Sequence, residues 1–162
     1  MGRSRGGLTS KIHLAADSRC RLLVRLTSAG QCHDNLAFQP MLARLRIRRH
    51  GPGRPRTRPG RVLSDKAYSN RANRAYLRRR NIQAVIPERA DEIRNRRQRG
   101  RRGGRPPAFE PAAYAHRNSV ERAINKLKQH RALATRYDKR DYVWRGTIDV
   151  VVIRTWLRNP VS

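Results

Sequence analysis

Tyr114-Ala115-His116-Arg117-Asn118-Ser119-Val120-Glu121-Arg122-Ala123-Ile124-Asn125-Lys126-Leu127-Lys128 sets one acidic residue inside a basic, helix-forming run. On a helix turning about 100° per residue, with Glu121 at zero, Arg117 falls at about −40°, Tyr114 at about +20° and Lys128 at about −20°. All four side chains therefore share one side of the helix. Val120, Ile124 and Leu127 form a separate apolar stripe, with Ala123 at its edge. The spacing predicts one helix over 112–131 that packs by the stripe. Beside the stripe it holds a carboxylate among cations and a phenol. That arrangement suits a metal-binding carboxylate working next to phosphates.

The chain has 162 residues, a length that suggests one domain over 1–162. Lys and Arg number 39 against 11 Asp and Glu, a formal net charge of +28. Solubility does not need such an excess, and nucleic acid is the first polyanion to consider. Most of the cations are Arg, whose fork matches phosphate oxygens. A ribosomal or histone-like basic protein would carry the same charge, so charge alone leaves that reading open. No run of about 18 apolar residues is present, so no membrane span is expected. The N-terminal residues have no apolar core after them and do not read as a signal peptide. Cys20 and Cys32 lack metal-ligand spacing and read as reduced thiols of a cytoplasmic protein.

Residues 8–16 and 21–27 alternate, with Ile12 and Leu14 on one face and Leu22, Val24 and Leu26 on another. With Asp17-Ser18-Arg19-Cys20 as the turn, they predict an antiparallel hairpin. Asp34 or Asn35 can cap a helix over about 35–45, with Leu36, Phe38, Met41, Leu42 and Leu45 apolar. The Gly/Pro/Arg linker at 49–60 cannot be helix or central strand. A short strand, Arg61 to Ser64, then ends at Asp65. A helix over 70–80 packs through Ala72, Ala75, Tyr76 and Leu77, and a second strand, Ile82 to Ile86, stops at Pro87. Strand–helix–strand is the pattern of a parallel pair in an α/β sheet.

Residues 88–107 show no apolar period and carry Arg96, Arg97, Arg101 and Arg102 among other cations. They read as a loop or arm, either gripping phosphates or solvated. In the tail, about 141–158, the run Val150 to Ile153 has strand propensity. The apolar set Ile148, Val151, Val152, Thr155 and Trp156 continues past strand length, so a helix is expected.

A protein that only coats nucleic acid has no use for placed carboxylates, whereas an enzyme cutting phosphodiesters does. Two divalent ions about 4 Å apart activate a water or hydroxyl and stabilise the leaving oxygen. Mg²⁺ takes hard carboxylate oxygens, which must come from rigid elements. Asp65 stands where a strand ends and Glu121 stands on a helix. Taken singly, Asp65 also fits a helix-capping or turn aspartate. Glu121 also fits a surface ion pair with Arg117 four residues back. His13, His33, His50, His116 and His130 show no shared metal spacing. Trp144 and Trp156 read as core of the C-terminal helix, with base stacking as the alternative. Tyr137-Asp138-Lys139 reads as a polar turn.

Tyr114, Arg117, Glu121 and Lys128, at gaps of two, three and six residues, resemble the Y-R-E-K signature of bacterial insertion-sequence transposases. These belong to the group with a DDE catalytic triad, and the closest likeness is to insertion-sequence family number five. Gly6 to Leu14 resembles the family's early hairpin, and Gly30-Gln31-Cys32-His33-Asp34 the turn before its first core helix. Leu63-Ser64-Asp65-Lys66-Ala67-Tyr68 resembles the strand bearing the second acid, with Ala67 where Gly is common. The likeness, in order, covers nearly the whole chain.

The resemblance implies an RNase H-like fold, a mixed sheet with flanking helices, and three carboxylates binding two Mg²⁺ (or Mn²⁺) ions. Asp65 would be the second acid and Glu121 the third, both as metal ligands. Arg117 and Lys128 would contact DNA phosphates, and Tyr114 would position the strand or the carboxylate. The implied chemistry is hydrolytic nicking at transposon ends, followed by 3′-hydroxyl attack on target DNA. Double-stranded DNA, both ends and target, is the implied partner, and a homodimer the implied assembly.

One departure stands against the match. The family's first catalytic Asp precedes the hairpin, and residues 1–7 contain no acid. Asp17 falls in the hairpin turn, and Asp34 reads better as a helix cap. The sheet is then expected to lack its first strand, and no helix-turn-helix module for recognising transposon ends is legible. The expectation is a C-terminal transposase part whose first Asp comes from an upstream reading frame or is lost. A non-catalytic DNA-binding remnant or regulator is the second reading, and a ribosomal or RNA-packaging protein the third.

Overall fold

The computed structural model describes residues 2–4, 7–49, 51–135, 138 and 140–158; Gly6, His50, Tyr137 and Lys139 lie outside them. The fold is mixed α/β, with two small sheets and several helices, and is compatible with an RNase H-like arrangement. The chain divides into two compact units. One is built from the residues up to Cys32 together with those from Asn118 onward, the other from His33–Arg117.

In the first unit, strands β1 (Gly2–Ser4), β2 (Gly7–Ala16) and β3 (Leu22–Ala29) form an antiparallel sheet in that order. The hairpin falls where the alternation placed it, with Ile12 opposite Thr27 and Leu14 opposite Arg25. Its turn is built by Asp17, whose carboxylate accepts from the backbone N–H of Arg19 (3.0 Å) and Arg21 (2.9 Å) and from Arg21 Nε (2.7 Å). Asp17 is thus an Asx-type turn residue. Cys20 takes the left-handed backbone at φ 62° and buries its side chain. Both cysteines are free thiols.

The edge expected to lack a strand carries β1, three residues paired Gly2 to Thr9 through Ser4 to Gly7 and holding no acid. So short a segment leaves no alternation to read. Gly30 closes the far end of the hairpin, its N–H bonding the Thr9 carbonyl at 3.1 Å.

The rest of this unit is helical: α5 (Asn118–Lys128), α6 (Arg131–Ala134) and α7 (Asp141–Arg158). Cys20, Leu22, Ala123, Leu127 and Val151 form its core, with Leu14, Ala16, Leu133 and Val152 packed against them. The tail is the helix that the long apolar set predicted, buried through Trp144, Ile148 and Val151. No helix among the described residues is long and apolar enough to cross a membrane.

The second unit runs α1 (Asn35–Ala43), β4 (Arg61–Leu63), a 3-10 turn (Lys66–Tyr68), α2 (Arg71–Arg79), β5 (Gln83–Val85), α3 (Ala90–Gln98), a second 3-10 turn (Gly100–Gly103) and α4 (Pro111–Ala115). As the strand–helix–strand pattern required, β4 and β5 are parallel, Val62 lying beside Ala84. Phe38, Leu42, Leu77, Ile82 and Ile86 form the core. Two expected packing residues point outward: Leu36 is 71% exposed, and Ala72 is exposed while Asn73 is buried in its place. Residues 51–60 contain no helix and no strand; a single bridge joins Ile47 to Arg56.

The tract at 88–107, expected as a loop, folds into α3 and the 3-10 turn after it. No residue of α3 is buried, so no apolar period existed to be read. The helix is held by charge instead. Asp91 and Glu92 sit in its first turn and Arg96 and Arg97 in its last, each complementing the helix dipole. Glu92 also accepts from the Arg89 N–H at 3.3 Å, and Glu88 pairs with Arg96. Gly103 lets the 3-10 turn close on α3, because a Cβ there would collide with the Arg96 carbonyl.

Candidate functional site

Asp65 follows β4 at its carboxyl end, where the chain leaves the sheet and enters the 3-10 turn. Its backbone carbonyl accepts from Tyr68 N–H at 3.0 Å, but its side chain makes no capping bond. The capping alternative therefore does not describe this residue. Asp65 is exposed, and its carboxylate forms no hydrogen bond or ion pair among the described residues. Asp34, expected as a helix cap, occupies the position before α1 with helical backbone and makes no capping bond. His33 Nδ1 accepts the Asn35 N–H at 3.2 Å instead. Burial, then the charges of Asp34 and Asp65, push the Tyr68 hydroxyl above its ordinary pKa, so both carboxylates lie near that phenol. The Tyr68 ring rests on Phe38 with centroids 5.6 Å apart.

Beneath Asp65 lies a polar knot that the sequence did not announce. Asn73, 2% exposed, donates to the Tyr68 carbonyl (3.0 Å) and to Asn35 Oδ1 (3.3 Å), and accepts from Gln39 Nε2 (3.3 Å). Asn70 caps α2 by accepting the Asn73 N–H at 2.6 Å. One buried amide thus ties α1, α2 and the 3-10 turn together and fixes where Asp65 leaves the strand. Its spacing four residues before the buried Leu77 was the only available signal.

The stretch from Tyr114 to Lys128 is not one helix. It breaks after Ala115, where His116 and Arg117 bond three residues back, to Ala113 and Tyr114. Asn118 and Ser119, whose side chains compete for backbone groups, begin α5. The two compact units divide at this break. Asp65, Tyr114 and Arg117 belong to the second unit, Glu121 and Lys128 to the first. Arg117 stacks over Tyr114 at 5.5 Å, and Phe109 meets Tyr114 at 5.4 Å. Glu121 and Lys128 share one face of α5, both exposed, about two turns apart. The buried line on α5 is Ser119, Ala123 and Leu127, with Val120 and Ile124 half-buried beside it.

Of the basic residues, Arg97, Arg101 and Arg102 are exposed, whereas Arg96 is half-buried against Glu88. Trp144 is buried, and Trp156 donates to the Leu22 carbonyl, so both serve packing. His13 is buried, its Nε2 2.8 Å from Ser28 Oγ. Among the described residues no group of three or more His, Cys, Asp or Glu side chains could hold a metal ion. The donor type does fit, since the uncommitted carboxylate of Asp65 offers the hard oxygens that Mg²⁺ takes.

The transposase DDE domain family model matches residues 2–147, which spans both units, and the chain belongs to that family. No curated protein and no solved structure matches the chain. Membership makes transposition, with DNA as the partner, the general function. Transposases of this family generally use divalent metal ions.

Proposed function

We propose that the chain is the C-terminal catalytic part of an insertion-sequence transposase with the Y-R-E-K signature, of insertion-sequence family number five. It cuts transposon ends and transfers the 3′-hydroxyl ends to target DNA. One observation carries this reading: Asp65 is exposed and unpartnered, fixed by a buried hydrogen-bond network at the carboxyl end of a parallel strand. Open α/β sheets place their ligands at that end.

Asp65 and Glu121 are the second and third acids of this reading and the ligands for Mg²⁺ or Mn²⁺. The ions supply Lewis acidity to the phosphodiester and a more acidic bound water. Arg117 and Lys128 bind phosphates near the cut, Tyr114 orients Arg117 through its ring, and Arg97, Arg101 and Arg102 grip the backbone outside it. The first acid comes from an upstream reading frame, and the assembly is a homodimer on the nucleoid.

The test is nicking of a transposon-end duplex by this chain, alone and joined to the upstream frame, with and without Mg²⁺. Metal-dependent nicking abolished by Asp65→Asn is expected. Nicking that survives the substitution, or needs no metal, would remove Asp65 from the chemistry. The second reading is a catalytically incomplete DNA-binding remnant or regulator of transposition. It requires salt-sensitive DNA binding without nicking in both forms.

A further inference from the structure

The second unit holds an open cleft of about 340 Å³ between α2 and the α3 segment. Arg71, Arg74 and Arg78 line one wall, at helical positions three and four apart, which places them on one face of α2. Arg96, Arg99 and Arg105 line the other. Against these six cations stand two acids, Glu88 and Glu92, a net lining charge of +4. The acids are already engaged. Glu88 pairs with Arg96, and Glu92 accepts from Ser69 Oγ at 2.6 Å. Arg74, half-buried, is fixed as the floor by its bonds to Ser69 Oγ (3.0 Å) and the Ile86 carbonyl (2.8 Å). That leaves Arg71, Arg78, Arg99 and Arg105 exposed, their guanidinium groups with no hydrogen bond or ion pair among the described residues. Four uncompensated guanidinium groups facing one cleft make a built receptor for several negative charges.

We propose that this cleft grips the phosphate backbone of duplex DNA without reading its sequence. Three observations choose that ligand. Arg71 and Arg78 are about 10 Å apart along α2, close to three of the ~3.4 Å steps by which phosphates advance on a DNA strand. A row of cations thus meets a row of charges rather than a single anion. No aromatic side chain lines the cleft, so it offers no platform on which unpaired bases could stack. The cleft also opens beside Glu88, just past the carboxyl end of β5, the same end of the parallel pair from which Asp65 leaves β4. A contact blind to sequence suits target DNA rather than the transposon ends, which must be recognised. The inference rests on the transposase reading for its biological role, but not for its test.

The test is fluorescence anisotropy of the whole chain on a random-sequence duplex, with variant Arg71→Ala/Arg78→Ala/Arg99→Ala. The comparison is the charge-matched control Arg44→Ala/Arg79→Ala/Arg154→Ala, three exposed arginines outside the cleft. The cleft variant is expected to bind about 10-fold or more weaker and to lower the salt slope by roughly 2–3, the share of three phosphate contacts. The control is expected to lose much less, and the cleft variant's loss is expected to be the same for unrelated duplex sequences. If the Ala variant melts early, the corresponding triple Gln variant takes its place. Equal losses in variant and control would overturn the assignment, as would a loss confined to one sequence or to single strands. Loss of inorganic phosphate binding with duplex binding intact would make the cleft a small-anion site and overturn it too. Binding needs no cutting. If Asp65→Asn abolishes nicking while the cleft variant binds normally, only the cleft assignment fails. The reverse pattern leaves the cleft standing without the catalytic reading.

Discussion

Trp156 Nε1 donates to the carbonyl of Leu22 at 2.8 Å, joining residues 134 positions apart, and the Arg21 guanidinium lies 4.6 Å over the same ring. The contact ties the last turns of α7 to the start of β3. It also occupies the indole, whose other use would be stacking on bases. Trp156→Phe keeps a ring for Arg21 but loses the donor, leaving the Leu22 carbonyl short of one partner. The expected cost is about 1 kcal/mol of stability, read from the urea midpoint, with DNA affinity unchanged. An affinity loss with stability unchanged would mean that the ring stacks on DNA.

Asp65→Asn separates chemistry from folding. The carboxylate is exposed and makes no bond that the fold uses. Stability is therefore expected to stay within about 0.5 kcal/mol of the parent. Nicking by the chain joined to its upstream frame is expected to fall at least ~100-fold, on the order of losing a preorganised charged group at the reacting phosphate. A variant that melts early would show Asp65 to be structural.

Asn73→Ala removes the buried amide that ties α1, α2 and the 3-10 turn, and leaves the half-buried Tyr68 carbonyl without that partner. A loss of about 2–3 kcal/mol is expected, with nicking reduced alongside because Asp65 is no longer held. Asn70→Ala loses only the helix cap and is expected to cost about 1 kcal/mol. Thermal melts of the two variants, compared directly, check the order.

The parts of the fold that bury one apolar face were legible in the sequence. Leu22 belongs to the first core and Leu14 packs against it, Leu77, Ile82 and Ile86 belong to the second, and Ile148 and Val151 seat the tail helix. What stayed hidden is held by polar chemistry or by local chain effects. α3 has no buried residue and is organised by Glu88, Asp91 and Glu92 against arginines. Asn73 looks like any surface amide until its partners, 38 residues back at Asn35 and five back at Tyr68, are in place. The break at His116–Arg117 lies inside an unbroken helical period, because periodicity reports which face is buried and not whether the backbone runs on. At the candidate site, the sequence legibly set Asp65 at a strand end. It did not reveal that the two units divide between Arg117 and Asn118.

Gly30→Ala is expected to destabilise the hairpin. A Cβ at that position would lie 2.7 Å from Thr9 Cβ, and Thr9 is a β-branched residue of β2 that cannot swing away freely. A cost of about 1–3 kcal/mol is expected from this overpacking. Thr9→Ala/Gly30→Ala, with the colliding hydroxyl oxygen removed, should recover part of it. No recovery would place the strain in the backbone instead.

The Tyr68 hydroxyl gives the second unit a stability component with a definite pH sign. Burial and the nearby charges of Asp34 and Asp65 raise its pKa in the folded state above the ordinary value of 10.0. Between the two values the unfolded chain has lost this proton while the folded chain keeps it, so the unfolded state binds fewer protons and stability falls as pH rises. The contribution is fully present below pH 10.0 and is lost as pH climbs through the folded-state value. Melting temperatures from pH 8 to 11, as an approximate working range, should fall less steeply in Tyr68→Phe than in the parent. Spectrophotometric titration should find one late-titrating phenol that Asp65→Asn shifts downward. An unshifted phenol would mean that Asp65 lies too far from Tyr68 to act on it, and would remove the electrostatic evidence that Asp34 and Asp65 flank one group.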